Sequence, residues 1–234
     1  MKPGRPEGFC GKTANFDWGP NVIEVPAGEV KNLRLDAVVF QSEKNFTHDQ
    51  HEILSADQRR LPRYYLEHNP PQLHPTNTRH PATADPRVTI VHVTNYNRLM
   101  RDNGDNPTAV IEHGVAMPRS VTYTGELPRG IVIINNINDR GRRLGLDIFQ
   151  TARVEVPLDI IGMNAQKVGG LGEIPYRRLP TFISRYRFLF TPIRYSSLGL
   201  SICEAMMIGL PVIGLATTEL GAIIKNGRTG YVHT

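Results

Sequence analysis

Across the second half of the chain, short apolar runs alternate without a break with helix-length segments, and few folds satisfy such a pattern. Residues 130–136 (GIVIINN), 158–162 (LDIIG), 188–192 (FLFTP), 211–214 (PVIG) and 230–233 read as strands. Residues 143–154, 180–186, 201–208 and 219–225 read as the helices that connect them. The runs are continuously apolar rather than alternating, as expected of strands covered by helices on both faces. Strand, helix and strand at this spacing indicate βαβ units in a parallel sheet, whose ligands lie at the carboxyl ends of the strands.

The first half repeats the theme less regularly. Strands are expected at 35–41 (LDAVVFQ), 63–66 (RYYL), 88–93 (VTIVHV) and 108–111 (TAVI), with short helices over 49–61 and 96–101. Pro70, Pro71, Pro75, Pro81 and Pro86 bar their stretch from a helix or a central strand, so it reads as a surface excursion long enough to carry a site. Residues 113–128 are punctuated by glycine and proline and read as a linker, which gives two domains, 1–118 and 119–234. Residues 1–20 read as loop, and the last strand has no closing helix, so truncation at both ends is expected.

Charge separates the two halves. Residues 1–118 hold 13 basic and 14 acidic side chains, residues 119–234 hold 14 and 8, and 21 of all 27 basic residues are arginine. Arginine's planar fork pairs with phosphate or carboxylate through two hydrogen bonds, so an anionic ligand is expected on the second half. Nucleic acid is not expected, because no aromatic interleaving, helix-turn-helix or zinc pattern, or long basic run accompanies the charge. Hydrophobic residues at 40% and charged residues at 21% place the chain among globular proteins with a sizeable core. The longest apolar stretch, 198–216, is broken by Glu204 and Pro211, and no signal peptide is recognisable. A cytoplasmic protein without an integral membrane segment is expected, with peripheral membrane contact left open. Cys10 and Cys203 show no metal-ligand spacing, and neither do His48, His51, His74 and His80. No disulfide framework, redox chemistry or metal site is therefore expected.

The segment richest in chemistry is 194–214 (RYSSLGLSICEAMMIGLPVIG). A strand end, a loop of small residues (Ser196, Ser197, Gly199) and a helix start near Ser201 would let backbone N–H groups approach an anion. The helix dipole adds about half a positive charge at the same place. The same residues admit a purely structural reading, since Ser201-x-x-Glu204 has the spacing of a capping box. His68 closes an apolar run ahead of Asn69-Pro70-Pro71 and would stand at a strand's carboxyl end, either as a site residue or as a hydrogen-bonded structural one. Gly169-Gly170-Leu171-Gly172 lacks the G-x-G-x-x-G spacing of a dinucleotide site and reads as a flexible loop. Asn45-Phe46-Thr47 matches a glycosylation acceptor by chance.

Ser196-Ser197-Leu198-Gly199-Leu200-x-x-x-Glu204-Ala205-Met206, with Gly209-Leu210-Pro211-Val212 and Glu219, resembles the E-G-F-G-L-x-x-x-E-A-M-A-x-G-x-P-V-V signature of family 4 glycosyltransferases. Asn226-Gly227-Arg228-Thr229-Gly230-Tyr231-Val232 is similar to that family's D-G-x-T-G-x-L, and Val110-Ile111-Glu112-His113-Gly114-Val115 to its I-P-N-G-V segment. The resemblance implies a GT-B fold, α/β, in which two Rossmann-like domains face each other across a cleft. The second would bind a nucleoside-diphosphate sugar and the first an acceptor that the sequence does not name. It implies a transferase that retains anomeric configuration without cofactor or essential metal, the nucleotide sugar being its substrate. His68 and Glu204 become the candidate catalytic residues, Glu204 holding the donor ribose. Ser196, Ser197, Gly199 and Leu200 would meet the donor sugar and phosphates, and Glu219 would lie near the nucleotide end. Arg140, Arg142 and Arg143 would bind the diphosphate in place of the family's arginine and lysine. One departure is chemical: the first glutamate of the family's signature falls at Ser196, which can hydrogen-bond but carries no charge. A non-catalytic nucleotide-binding relative or partner of a transferase, and a sugar-nucleotide epimerase of the same fold, are the alternatives.

Overall fold

A computed structural model describes residues 20–234. The loop expected over 1–19, and Cys10 within it, lie outside the described residues. Two compact units divide between Glu112 and His113.

In the first unit, β1 (Val38–Phe40), β2 (Arg63–Glu67), β3 (Val88–His92) and β4 (Thr108–Val110) form one parallel sheet in the order β1-β2-β3-β4. Four of the five β3 residues are buried, as its unbroken apolar run requires. Phe40, Phe46, Tyr65, Ala82, Val88 and Ile90 pack into its core. α2 (Asn95–Met100) starts where Thr94 Oγ1 accepts the Asn97 N–H at 3.0 Å.

Two expectations for this unit change. The helix over 49–61 is split into a π-helical turn (Asn45–Asp49), α1 (Gln50–Ile53) and a 3-10 turn (Gln58–Arg60). The break has a local cause. Ser55 and Gln58 exchange hydrogen bonds, the Ser55 N–H with Gln58 Oε1 at 2.9 Å and the Gln58 N–H with Ser55 Oγ at 3.2 Å, so a new turn is nucleated behind the extended Leu54. The proline-rich excursion is likewise only partly on the surface. Pro70 and Pro71 are buried, and Pro81–Ala84 forms a 3-10 turn capped by the buried His80 side chain. Proline suits the first position of such a turn, where its missing N–H is not needed.

In the second unit, β5 (Leu127–Ile133), β6 (Leu158–Ile161), β7 (Tyr186–Thr191), β8 (Val212–Leu215) and β9 (Gly230–His233) form a parallel sheet in the order β6-β5-β7-β8-β9. Successive β5 residues serve opposite faces, as strand geometry dictates. Ile131 joins a cluster with Ile183, Ile202, Ala205 and Leu220, from α5 (Leu179–Ile183), α6 (Leu200–Met207) and α7 (Leu220–Ile223). Val132 joins Ile137 and Phe149, from α3 (Ile137–Arg140) and α4 (Leu146–Glu155). Residues 113–126, expected as linker, pack on this unit. Tyr123 N–H donates to the Ile208 carbonyl at 2.9 Å, Thr124 N–H to that of Ser184 at 2.9 Å, and Met117 and Val121 join the core. Among the described residues no helix is long and apolar enough to cross a membrane.

Candidate functional site

The strand order of the second unit creates one privileged position. The chain leaves β5 for β6 on one side and returns past β5 to β7 on the other, so the loops after β5 and β7 open in opposite directions. Ligands of doubly wound sheets bind in the crevice at that reversal, beyond the strands' carboxyl ends. Here those ends are Ile133 and Thr191. After β5 come Arg140, at the end of α3, and Arg142 and Arg143 in a 3-10 turn, and the loop after β7 carries Ser196, Ser197 and Gly199, so segments about fifty positions apart become neighbours.

Direct contacts join the two loops. The Arg143 carbonyl accepts the N–H groups of Arg194 (3.1 Å) and Tyr195 (3.3 Å), while the Arg143 side chain donates from Nε to the Tyr195 carbonyl (3.2 Å) and lies over the Tyr195 ring. Arg194 closes the other side, donating to the Arg142 carbonyl at 2.8 Å and gripping both Asp147 oxygens at 2.6 and 2.9 Å. Arg142 also pairs with Asp147, at 2.7 Å. The Arg194 hydrogen bonds hold the Asp147 carboxyl down at about 2. Arg140 is exposed and enters no ion pair among the described residues. Gly145 lets the loops approach. Its φ of +79° is left-handed, and a methyl there would collide with the Pro192 carbonyl oxygen.

The helix after β7 corrects one expectation. α6 begins at Leu200 with Gly199 in the N-cap position, so Ser201 and Glu204 lie inside the helix and form no capping box. Gly199 offers no side-chain oxygen to the helix start, and a Cβ there would meet nothing closer than Ser201 Oγ at 3.5 Å. Glu204 is instead buried, 4% exposed, and accepts the Tyr176 hydroxyl. Burial pushes its carboxyl above the ordinary range, against the pull of that hydrogen bond, and the Tyr176 phenol is raised by burial and by the facing carboxylate. Glu219 is also buried and immediately precedes α7, in the loop after β8.

His68 belongs to the first unit, exposed and one residue beyond β2. Beneath it lies a buried polar cluster that the sequence did not single out. Glu67 Oε1 accepts the Asn69 N–H at 3.0 Å, and Glu67 Oε2 meets Arg101 at 2.9 Å and His80 Nε2 at 3.3 Å. His80 Nδ1 accepts the Ala82 N–H, so its proton sits on Nε2, facing Glu67. Burial alone would raise the Glu67 carboxyl, but His80, Arg101 and the Asn69 N–H outweigh it and hold it low. His92, fully buried beside them, is held below its usual 6.5 chiefly by burial.

Residues 150–234 match the family model described as glycosyl transferases group 1. The match lies wholly within the second unit. The fold of the described chain recurs in solved structures. TarM has a TM-score of 0.58 and 14% identity, covering 84% of this chain and 44% of its own. The pneumococcal O-GlcNAc transferase GtfA, solved with UDP and GlcNAc, has 0.56 and 17%, covering 84% and 45%. Sucrose-phosphate synthase from Thermosynechococcus elongatus has 0.61 and 14%, covering 85% and 60%. These glycosyltransferases share the GT-B fold with this chain, which spans about half the length of the first two. By sequence alone, no curated protein is significantly similar.

Within the second unit, Arg194, Tyr195 and Tyr176 contact candidate site residues and were left without a role by the sequence. Arg194 was open to inference as one more arginine next to the small-residue loop. Tyr176 reaches Glu204 from a separate loop, and no spacing announces such a contact.

Proposed function

We propose that this chain moves a sugar from a nucleoside-diphosphate sugar to an acceptor, the second unit binding the donor and the first the acceptor. The observation that carries the reading is the contact of Arg142 and Arg143 with Arg194 and Tyr195, which lead into the Ser196–Gly199 loop, at the sheet's reversal point in the unit whose residues 150–234 match the family. Arg140 and Arg142 would receive the diphosphate as the glycosidic bond breaks, with Arg143 and Arg194 fixing the loop backbones that present it. Guanidinium pairing neutralises the developing charge on the leaving group, and the start of α6 adds its dipole. That cationic set does the work a metal would do elsewhere, so the reaction proceeds without one, and the donor anomer is retained.

Glu204 holds the ribose once its carboxylate turns from the Tyr176 hydroxyl, and Glu219 bounds the nucleotide end. His68, one residue beyond β2, is the catalytic candidate of the first unit. Ser196 favours a second reading, a nucleotide-binding relative without turnover, because it offers the donor sugar a hydroxyl where the family signature has a carboxylate.

The test is a thermal-shift panel with UDP, GDP and ADP, UDP first because GtfA was solved with it. A ligand at a hundred times its Kd stabilises by about 2.7 kcal/mol, a rise of about 5–10 °C in a domain of this size. A rise with one base supports the donor site and identifies the nucleotide. No rise with any of the three overturns the reading, and binding without transfer from the matching donor selects the second one.

A further inference from the structure

At the amino ends of β2 and β3, opposite the strand ends that carry His68, the first unit has a cavity of about 610 Å³. Gln50, Arg59, Arg60, Arg63, Asp85 and Arg87 are on its wall. Asp85 is shared by two of these arginines: buried Arg63 pairs with it, and Arg87 binds it through Nε and a terminal nitrogen, both at 2.9 Å. Arg60 reaches out to Asp57, at 3.1 Å. Arg59 donates to the Leu54 carbonyl at 2.7 Å and meets no carboxylate among the described residues. The wall therefore carries four arginines and one aspartate, which pairs with two of them.

A second feature is independent of the charge. Gln50 is 6% exposed, its Nε2 donates to the Phe46 carbonyl, and its buried Oε1 has no donor among the described residues. A buried acceptor without a partner is costly, so a donor supplied from this cavity, or from the one of about 290 Å³ that Gln50 also lines, would be favoured. Several guanidinium groups on one wall, with a single carboxylate among them, suit the three oxygens of a phosphate better than the two of a carboxylate.

We propose that this cavity binds a small phosphate ester with a free hydroxyl, a polyol or sugar phosphate. The arginines take the phosphate, and Gln50 Oε1 accepts the hydroxyl. The site is separate from the donor site and does not depend on the transferase reading.

The test follows the arginine Nε–Hε resonances of the full chain by NMR, assigned with Arg59→Lys and Arg87→Lys, at constant ionic strength. The probes are sn-glycerol 3-phosphate, inorganic phosphate, sodium chloride and phosphatidylglycerol vesicles. The expected result is saturable movement of the Arg59 and Arg87 signals, with glycerol 3-phosphate at least threefold tighter than phosphate. Arg87→Gln should weaken both at least fivefold, and Gln50→Leu should abolish the preference for the ester. Movement with vesicles as well would identify a lipid headgroup as a source of the same chemistry. Signals that follow chloride equally, or a preference that survives Gln50→Leu, would overturn the proposal. If Gln50→Leu fails to fold, the exposed Arg87→Gln variant still decides the phosphate contact. Because these resonances lie in the first unit, a negative result here leaves the nucleotide titration of the second unit untouched.

Discussion

Gly145→Ala tests whether close approach of the two loops builds the donor site. Gly145 has φ +79° and ψ 31°, and Gly169 has φ +76° and ψ 26°, so alanine at either position bears the same left-handed cost of about 1–2 kcal/mol. Their surroundings differ. At Gly145 the new methyl would collide with the Pro192 carbonyl oxygen and lie 2.7 Å from the Pro192 carbonyl carbon and Cβ, whereas at Gly169 its nearest neighbours are the Arg153 guanidinium nitrogens at 3.7 Å. Relieving the collision moves either loop by several tenths of an ångström, and overpacking of this kind costs about 1–3 kcal/mol more. Gly145→Ala should therefore lose about 2–5 kcal/mol in urea unfolding, against about 1–2 kcal/mol for Gly169→Ala. At a temperature where both variants are folded, only Gly145→Ala should weaken the matching nucleoside diphosphate, because the Arg143 contacts with Arg194 and Tyr195 lie on the loops that move. Equal destabilisation by the two substitutions, or unchanged nucleotide affinity in Gly145→Ala, would refute the reasoning.

Three further outcomes are expected. Arg140→Ala should weaken a nucleoside diphosphate about tenfold while leaving the nucleoside unchanged, since a charge-assisted contact to phosphate alone is removed; isothermal titration separates the two. Glu204→Gln should weaken the nucleotide with little loss of stability, whereas Tyr176→Phe, by stripping a buried carboxylate of its donor, should cost about 1–3 kcal/mol in thermal or urea unfolding. A capping role for Glu204 would give the opposite pattern, with stability reduced and affinity intact. Burial depresses His92, so as pH falls through 6.5 the unfolded chain takes up a proton that the folded one refuses, and stability declines until the folded value is reached. Urea midpoints between pH 7.5 and 5.5 should therefore fall, and His92→Gln should flatten the dependence; an unchanged slope would refute that source.

The parallel βαβ character of both units was legible because continuous apolar runs are what doubly covered strands require. β2, β3, β6 and β8 lie within a residue or two of the runs that announced them. The candidate residues of the second unit were legible for a related reason, since small residues after a strand and arginines before a helix stand in the segments that such a sheet puts at its carboxyl edge. The broken helix over 49–61 was harder. Its apolar spacing is satisfactory, and the interruption comes from two side chains, Ser55 and Gln58, competing for the backbone. At Ser201 the opposite occurred. The spacing of a capping box was present, but the N-cap is Gly199, two residues before Ser201, and Glu204 was drawn into the interior toward Tyr176.

By itself, the sequence determined which segments become strands, that the sheets are parallel, and which short loops carry cationic and small side chains. Those properties follow from local hydrophobic pattern and backbone chemistry. Tertiary structure alone decided that β5 lies between β6 and β7, and hence that Arg143 meets Tyr195 and that Asp147 is held by Arg194. It alone placed Glu67, His80 and Arg101 in one buried cluster and brought four arginines onto the wall of one cavity at the other end of the same sheet, two of them paired with Asp85. Strand order and side-chain encounters arise from packing between segments distant in sequence, and no local pattern encodes them.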